Sequence, residues 1–320
     1  MSLISELKNG LRFKSKKTSF WVGITIALLA AIFASTIQVV GKALVDPSYG
    51  YVEDAVHPLN LAIFLGLISG LFFTPFAKGK QSPTQFSRKS LFFVIMLGIT
   101  DVAAITTNFF GLNHTTAVNA TILINTELLF VLLIALVVFK ERIQKRETFP
   151  LALVALGAII LPMGVDIIQN GTFVSGFVFG DMMILLAAGF FALDISIAKF
   201  VSKRVPASRI SQISAFAGVP FAMVLMMIFQ VPFDLPLEQM PAIVYMGIFV
   251  SGLSYYFFVI ALRLIGAIRT ILIYSTTTVF GISFSAIFLG ETITELNIVS
   301  VTIIGVGIYL LRKKIATMEE

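Results

Sequence analysis

Apolar stretches long enough to cross a lipid bilayer recur along the whole of this 320-residue chain. A hydrocarbon core of about 30 Å takes roughly 20 residues of helix at about 1.5 Å per residue. Ten stretches reach that length: 21–44, 59–77, 90–111, 120–139, 148–167, 178–201, 210–230, 241–262, 270–289 and 295–312. None shows the polar-apolar alternation of a barrel strand, so each predicts a membrane helix. The connectors are too short to fold as a separate domain. Composition agrees, with 58% apolar and 12% charged residues and a mean hydropathy of +0.97. A soluble enzyme is excluded, because a chain this size needs far more polar surface to stay in water. A disordered scaffold is excluded by the same hydrophobicity. The chain has no cysteine, which removes disulfide-built modules and thiolate metal sites, and His57 and His114 are too few for a histidine cage. No metal or cofactor is expected.

The net charge of +6 finds its explanation in where the basic residues fall. Of the 23 Lys and Arg, 21 lie on one side of an alternating ten-helix chain, from Lys8 and Arg12 in the N-terminal tail to Arg312, Lys313 and Lys314 at the other end. The loops of the opposite side hold none, and carry Asp46, Glu53, Asp54, Asp234, Glu238 and Glu291 instead. Cytoplasmic loops of membrane proteins carry the excess of Lys and Arg, so both termini are expected in the cytoplasm, and a nucleic-acid partner is not. The first stretch is too long for a signal-peptide core and has no small-residue cleavage pattern, so it reads as retained. Only Lys42 and Lys199 sit inside apolar stretches.

Those two lysines belong to an internal repeat. Residues 28–44 (LLAAIFASTIQVVGKAL) match 185–201 (LLAAGFFALDISIAKFV) at six of 17 positions, Lys42 on Lys199. Residues 112–143 fall without a gap on 262–293, pairing Thr126 with Thr276, Phe130 with Phe280 and Glu141 with Glu291. Both alignments join corresponding helices, first to sixth and fourth to ninth. Five helices per half is an odd number, so the second half is expected to sit upside down relative to the first, an inverted repeat of the kind secondary transporters use. The expected layout is a basic tail over 1–20, one five-helix unit over 21–167, its inverted partner over 178–312 and a short tail over 313–320.

With these residues in view the chain resembles the drug/metabolite transporter superfamily, specifically its EamA-type members with two five-helix halves. The resemblance covers nearly the whole chain. It rests on TTAVNATILINTELLFVLLIALVVFKERI with Gly157 beyond, and on GAIRTILIYSTTTVFGISFSAIFLGETI with Gly307 beyond. Each ends in a hydrophobic-x-Glu signature, FKER and FLGET. Where that family often has Glu-Pro this sequence has Glu127-Leu128, and where proline is common in the ninth helix it has Thr277-Thr278, so no proline marks a kink in either. The resemblance implies ten helices, a central cavity lined by helices 1 to 4 and 6 to 9, and export or exchange of small metabolites.

An ionisable group deep in a membrane helix costs several kcal/mol unless it is paired or faces water, which makes it a functional candidate. Asp101, Glu127 and Asp194 meet that description. Glu127, beside Asn125 and Thr126, is the group expected to bind substrate or exchange a proton; the competing structural role is a helix-tying buried acid. Asp101 and Asn108 share a helix face, and Ser35, Gln38 and Lys42 form a second polar stripe at helical spacing. Tyr274 and Thr277 belong to the counterpart of the Glu127 segment, with Thr277 aligned to Glu127 itself. Lys42 and Lys199 read either as snorkelling charges or as symmetry-related gate charges, pairing with a carboxylate such as Asp194 or meeting an anionic substrate. Asp166 and Asp181, near helix ends, are expected to be solvated. Trp21 reads as an interfacial anchor, and Gly66, Gly70, Gly247 and Gly252 as helix-packing positions.

These features point to an all-α integral membrane protein in a prokaryotic plasma membrane, a secondary transporter of small metabolites such as amino acids. The alternative within that class is a broad-specificity multidrug or organic-cation exporter. A membrane-embedded enzyme is disfavoured, because the motifs of intramembrane proteases are missing: Gly180-Asp181 lacks the first glycine of GxGD, and no GxSG occurs. The expected partners are a small-molecule substrate, the lipid bilayer and a coupling proton, with the chain as a monomer or homodimer.

Overall fold

The structure, a computed structural model, describes residues 16–49, 51–77, 87–137, 176–202, 204–234 and 237–316, with the short pieces 149–150, 152–153 and 156–157. Most of the fifth apolar stretch, the FKER signature with Glu141, and Asp166 lie outside the described residues. Among the described residues all regular structure is helical. The first half contains α1 (Lys16–Val45), α2 (Pro58–Ala77), α3 (Arg88–Leu112), α4 (Ala117–Leu123) and α5 (Glu127–Val137). The second contains α6 (Gly176–Ser202), α7 (Ala207–Ile228), α8 (Met240–Tyr245), α9 (Tyr255–Ile265), α10 (Ala267–Tyr274), α11 (Thr277–Phe288) and α12 (Glu295–Ala316). A π-helical stretch, Met246–Ser254, joins α8 to α9. Six helical stretches are long and apolar enough to cross a membrane: Phe20–Val45, Pro58–Ala77, Arg88–Leu112, Phe179–Ser202, Ala207–Ile228 and Met240–Ile265.

Polar side chains at the helix starts satisfy amides that have no partner within the helix. Ser87 accepts from Ser90 N at 3.1 Å ahead of α3, and Thr116 from Asn119 N at 3.0 Å ahead of α4. The fourth and ninth apolar stretches, expected as continuous helices, are each broken midway. A 3₁₀ turn over Ile124–Thr126 separates α4 from α5, and α10 stops at Tyr274 before α11 begins at Thr277. No proline is involved. Thr126 Oγ1 donates to Leu123 O at 2.8 Å, and Asn125 Nδ2 to Thr121 O at 2.8 Å. At the other break Thr276 Oγ1 donates to Ile273 O at 2.7 Å, and Thr278 Oγ1 to Ser275 O at 3.0 Å. Short polar side chains drawing on nearby carbonyls compete with the helical pattern, and two or three in succession break it.

The halves interleave. α1 packs along the π-helical stretch, α9, α10 and α11, while α6 packs along α3, α4 and α5. α2 lies against α7; α3 also meets α7, and α2 also meets the π-helical stretch. The alanines shared by the repeat mark the tight seams, with Ala30, Ala31, Ala187 and Ala188 all fully buried. Small residues let helix axes approach where lipid offers no hydrophobic drive for association. Gly66, Gly70, Gly247 and Gly252 lie at such contacts, and so does Gly98, where an added Cβ would overlap Ser214 O.

Candidate functional site

Where these seams meet, the chain leaves a cavity of about 140 Å³. α1 contributes Ser35 and Gln38, and α3 contributes Asp101 near its middle. The first break contributes Asn125 and Glu127, and α6 contributes Phe191 and Asp194. The π-helical stretch supplies Ser251 and Ser254, α9 supplies Tyr255 and Phe258, and the second break supplies Tyr274 and Thr277. Eight of the residues singled out by sequence thus line one cavity, Ser35, Gln38, Asp101, Asn125, Glu127, Asp194, Tyr274 and Thr277, drawn from elements of both halves.

Each is positioned by a local reason. Glu127 opens α5 directly after the 3₁₀ turn, its backbone N–H bonding back to Ile124 O and Asn125 O of that turn. Asp194, 4% exposed, accepts from Thr100 Oγ1 across the α3–α6 seam at 2.5 Å. Gln38 and Asn108 bond reciprocally, Gln38 Nε2 to Asn108 Oδ1 at 3.0 Å and Asn108 Nδ2 to Gln38 Oε1 at 3.2 Å. Asn108, fully buried, therefore fixes the orientation of Gln38 from behind the cavity wall. Asn125 holds the broken turn through its bonds to Thr121 O and Ile122 O, and Thr277 Oγ1 donates to Tyr274 O. The Tyr274 ring packs on Phe258 at 4.9 Å, and Ser254 Oγ donates to Ala30 O at 2.9 Å, tying this wall to α1.

The two lysines differ. Lys42 is only 4% exposed and donates to Leu112 O at 2.6 Å while pairing with Asp46 at 2.7 Å, so it neither snorkels nor meets Asp194. Burial works against the Asp46 carboxylate, but the bonds from Lys42 and Ser48 outweigh it and hold its carboxyl below the usual range. Lys199 is exposed in the last turn of α6. Asp181 is buried rather than solvated, accepting from Thr115 Oγ1 at 2.5 Å. Trp21 is 59% exposed, as an interfacial anchor would be.

Beside Lys42 lies a cluster that sequence reasoning touched only through the FLGET signature. Glu291 reaches from the second half to the start of α4, accepting from Ala117 N and Val118 N at 2.8 Å each, and from Tyr49 OH at 2.8 Å. Burial, the bond to Glu291 and the charges of Glu291 and Asp46 push the Tyr49 hydroxyl well above its usual range. This network ties α1, α3, α4 and the end of α11 together. The only signal for it was the signature glutamate, because its partners are backbone amides more than 170 positions away in the chain.

Six stretches able to cross a membrane among the described residues, packed around a cavity walled by acids from both halves, make this a polytopic membrane protein. The chain belongs to the EamA-like transporter family, which it matches over residues 21–163 and 178–313. It is 27% identical over 276 residues to an uncharacterized transporter of Methanothermobacter thermautotrophicus, covering 81% of this chain and 79% of that one. An uncharacterized transporter of Clostridium kluyveri is 24% identical over 282 residues, covering 87% and 88%. A protein of known crystal structure shares the fold with a TM-score of 0.62 at 17% identity, over 93% of this chain and 98% of that chain.

Proposed function

We propose that this transporter carries a small metabolite bearing an amino or other cationic group, an amino acid being the simplest case, by alternating access around the central cavity. One observation carries the reading. Asp101, Glu127 and Asp194 meet in a cavity whose lining among the described residues includes no Lys, Arg or His. Carboxylates withdrawn from water gain most from a cation that enters with them. Tyr255, Phe258 and Tyr274 offer aromatic faces for the same charge. Gln38, Asn125 and Thr277 supply polar contacts for the substrate's other end. Glu127 is the coupling group, exchanging a proton as substrate binds and leaves.

Alternating access is supported by how the halves correspond. α1 against π, α9, α10 and α11 has its counterpart, with halves exchanged, in α6 against α3, α4 and α5. The bond from Thr126 Oγ1 to Leu123 O recurs 150 positions later as Thr276 Oγ1 to Ile273 O. Such a pair of units can exchange conformations to open one side or the other. With the basic loops cytoplasmic, the chain lies in a prokaryotic plasma membrane and works as an exporter, as a monomer or homodimer.

The test is uptake into liposomes of labelled amino acids, organic cations and purely anionic carboxylates, with and without a pH gradient, beside Glu127→Gln. Gradient-dependent uptake of amine-bearing compounds alone, lost in the variant, is the expected result. Uptake of the anions in preference to the amines would overturn the reading. A multidrug exporter would show itself by partial loss for some cations only when Asp101, Glu127 or Asp194 is neutralised.

A further inference from the structure

A second, smaller cavity lies beside the central one, between α2, α3, α7 and the π-helical stretch. Its volume is about 20 Å³, above the roughly 10–15 Å³ that one water requires. Asp101, Ser251 and Tyr255 line both cavities, so the two share a polar wall. Ser211 of α7, 2% exposed, also lines the smaller cavity. The hydroxyls of Ser211, Ser251 and Tyr255 are buried without a hydrogen-bond partner among the described residues, and so is that of Ser208, three residues earlier on α7. Ser214, on the same wall, behaves differently, donating to Ile210 O at 2.8 Å, the ordinary recourse of a serine in a helix. An unpaired buried hydroxyl costs about 1–3 kcal/mol. A ligand that relieves several of them must fit a space of one water, and must both donate and accept. Water meets each condition.

We propose that this pocket binds a water that passes protons between Asp101 and the Ser208–Ser211 face of α7, giving the central carboxylates a proton route apart from the substrate's path. In the inward direction Ser208 takes a proton from solvent at the start of α7 and releases its own to a second water that links it to Ser211. Ser211 takes a proton from that water and hands its hydroxyl proton to the bound water. The bound water gives one of its own protons to the Asp101 carboxylate. Every oxygen ends with the protons it began with except the carboxylate, which gains one. Ser208 stands in the first turn of α7, where Arg209 Nη1 donates to Gln212 Oε1 at 2.9 Å and Gln212 Nε2 to Thr74 Oγ1 at 3.1 Å, so polar groups continue beyond it. The titratable groups facing Asp101 are Asp194 from α6, Tyr255 from α9, Tyr274 from α10 and Glu127 from α5. α1, α2, α7 and the π-helical stretch bring none to either lining. The proposal concerns proton access and stands whatever substrate the central cavity takes.

Infrared spectroscopy of the protein in a lipid bilayer tests it without a substrate. The carbonyl band of protonated Asp101 is identified by its loss in Asp101→Asn, and its rate of shift is followed after a switch to D₂O. Ser211→Val, which fills the pocket and removes the hydroxyl, is expected to slow that exchange about tenfold or more, because the pocket then has no room for water. Ser196→Ala, which removes a hydroxyl bonded to Ala192 O outside both linings, leaves it unchanged. If Ser211→Val does not fold, Tyr255→Phe supplies the same reading. A wild-type rate in both Ser211→Val and Tyr255→Phe overturns the proposal. So does the absence, at acidic pH, of any band that Asp101→Asn removes.

Discussion

Glu291 carries three hydrogen bonds between the halves of the molecule, from Tyr49 OH, Ala117 N and Val118 N. Glu291→Ala leaves two amides and a hydroxyl without their acceptor and is expected to cost about 1–3 kcal/mol, read as a lower unfolding temperature in detergent. Tyr49→Phe should cost less, and the double variant less than the sum, since both remove one shared bond. Asp46 gives a pH signature. Its folded carboxyl titrates below the unfolded one, so its contribution is fully present above the usual carboxylate range and is lost as pH falls through the lowered value. Melting curves of wild type and Asp46→Asn should therefore differ at neutral pH and converge on acidification. At this scale the acids of the cavity are legible in sequence, because a charge inside an apolar helix is costly wherever it points. The partner of Lys42 is legible only in the fold. Leu112 O and Asp46 reach it through the end of α3 and the turn after α1, and no spacing rule joins all three.

At the scale of elements, the long helices are legible because length and hydrophobicity alone decide them, whereas the two breaks are not. Proline is the signal a reader looks for, and here Asn125, Thr126, Thr276 and Thr278 do the same work through side-chain bonds to backbone carbonyls. A proline at 128 should then be tolerated, since it falls in the first turn of α5, directly after the 3₁₀ turn that breaks the helix. Leu133→Pro, in the body of the same helix, should cost about 3 kcal/mol or more. Comparing the monodisperse yield of the two variants distinguishes a real break from a continuous helix. Helix seams give a parallel contrast. Gly98→Ala would drive its Cβ into Ser214 O, and is expected to cost about 1–3 kcal/mol. Gly189→Ala meets nothing within 4 Å and should be neutral or slightly stabilising, by up to about 1 kcal/mol. Sequence marked four packing glycines but not Gly98, because a glycine beside Asp101 reads no differently from one facing lipid until α7 is placed against it.

For the whole molecule, the repeat unites these observations. The shared alanines become the buried faces of α1 and α6, and the two breaks bring Glu127 and Thr277 into the lining of one cavity. A chain without cysteine allows the rocking of its halves to be followed directly. Single cysteines at Ser35 of α1 and Ala192 of α6 occupy corresponding positions of the repeat, and a membrane-impermeant maleimide applied from either side of sealed vesicles reads their accessibility. Alternating access predicts that a transported amine shifts the two in opposite directions, one gaining reactivity from a given side as the other loses it. Parallel changes at both positions, or simultaneous labelling of either one from both sides, would contradict it.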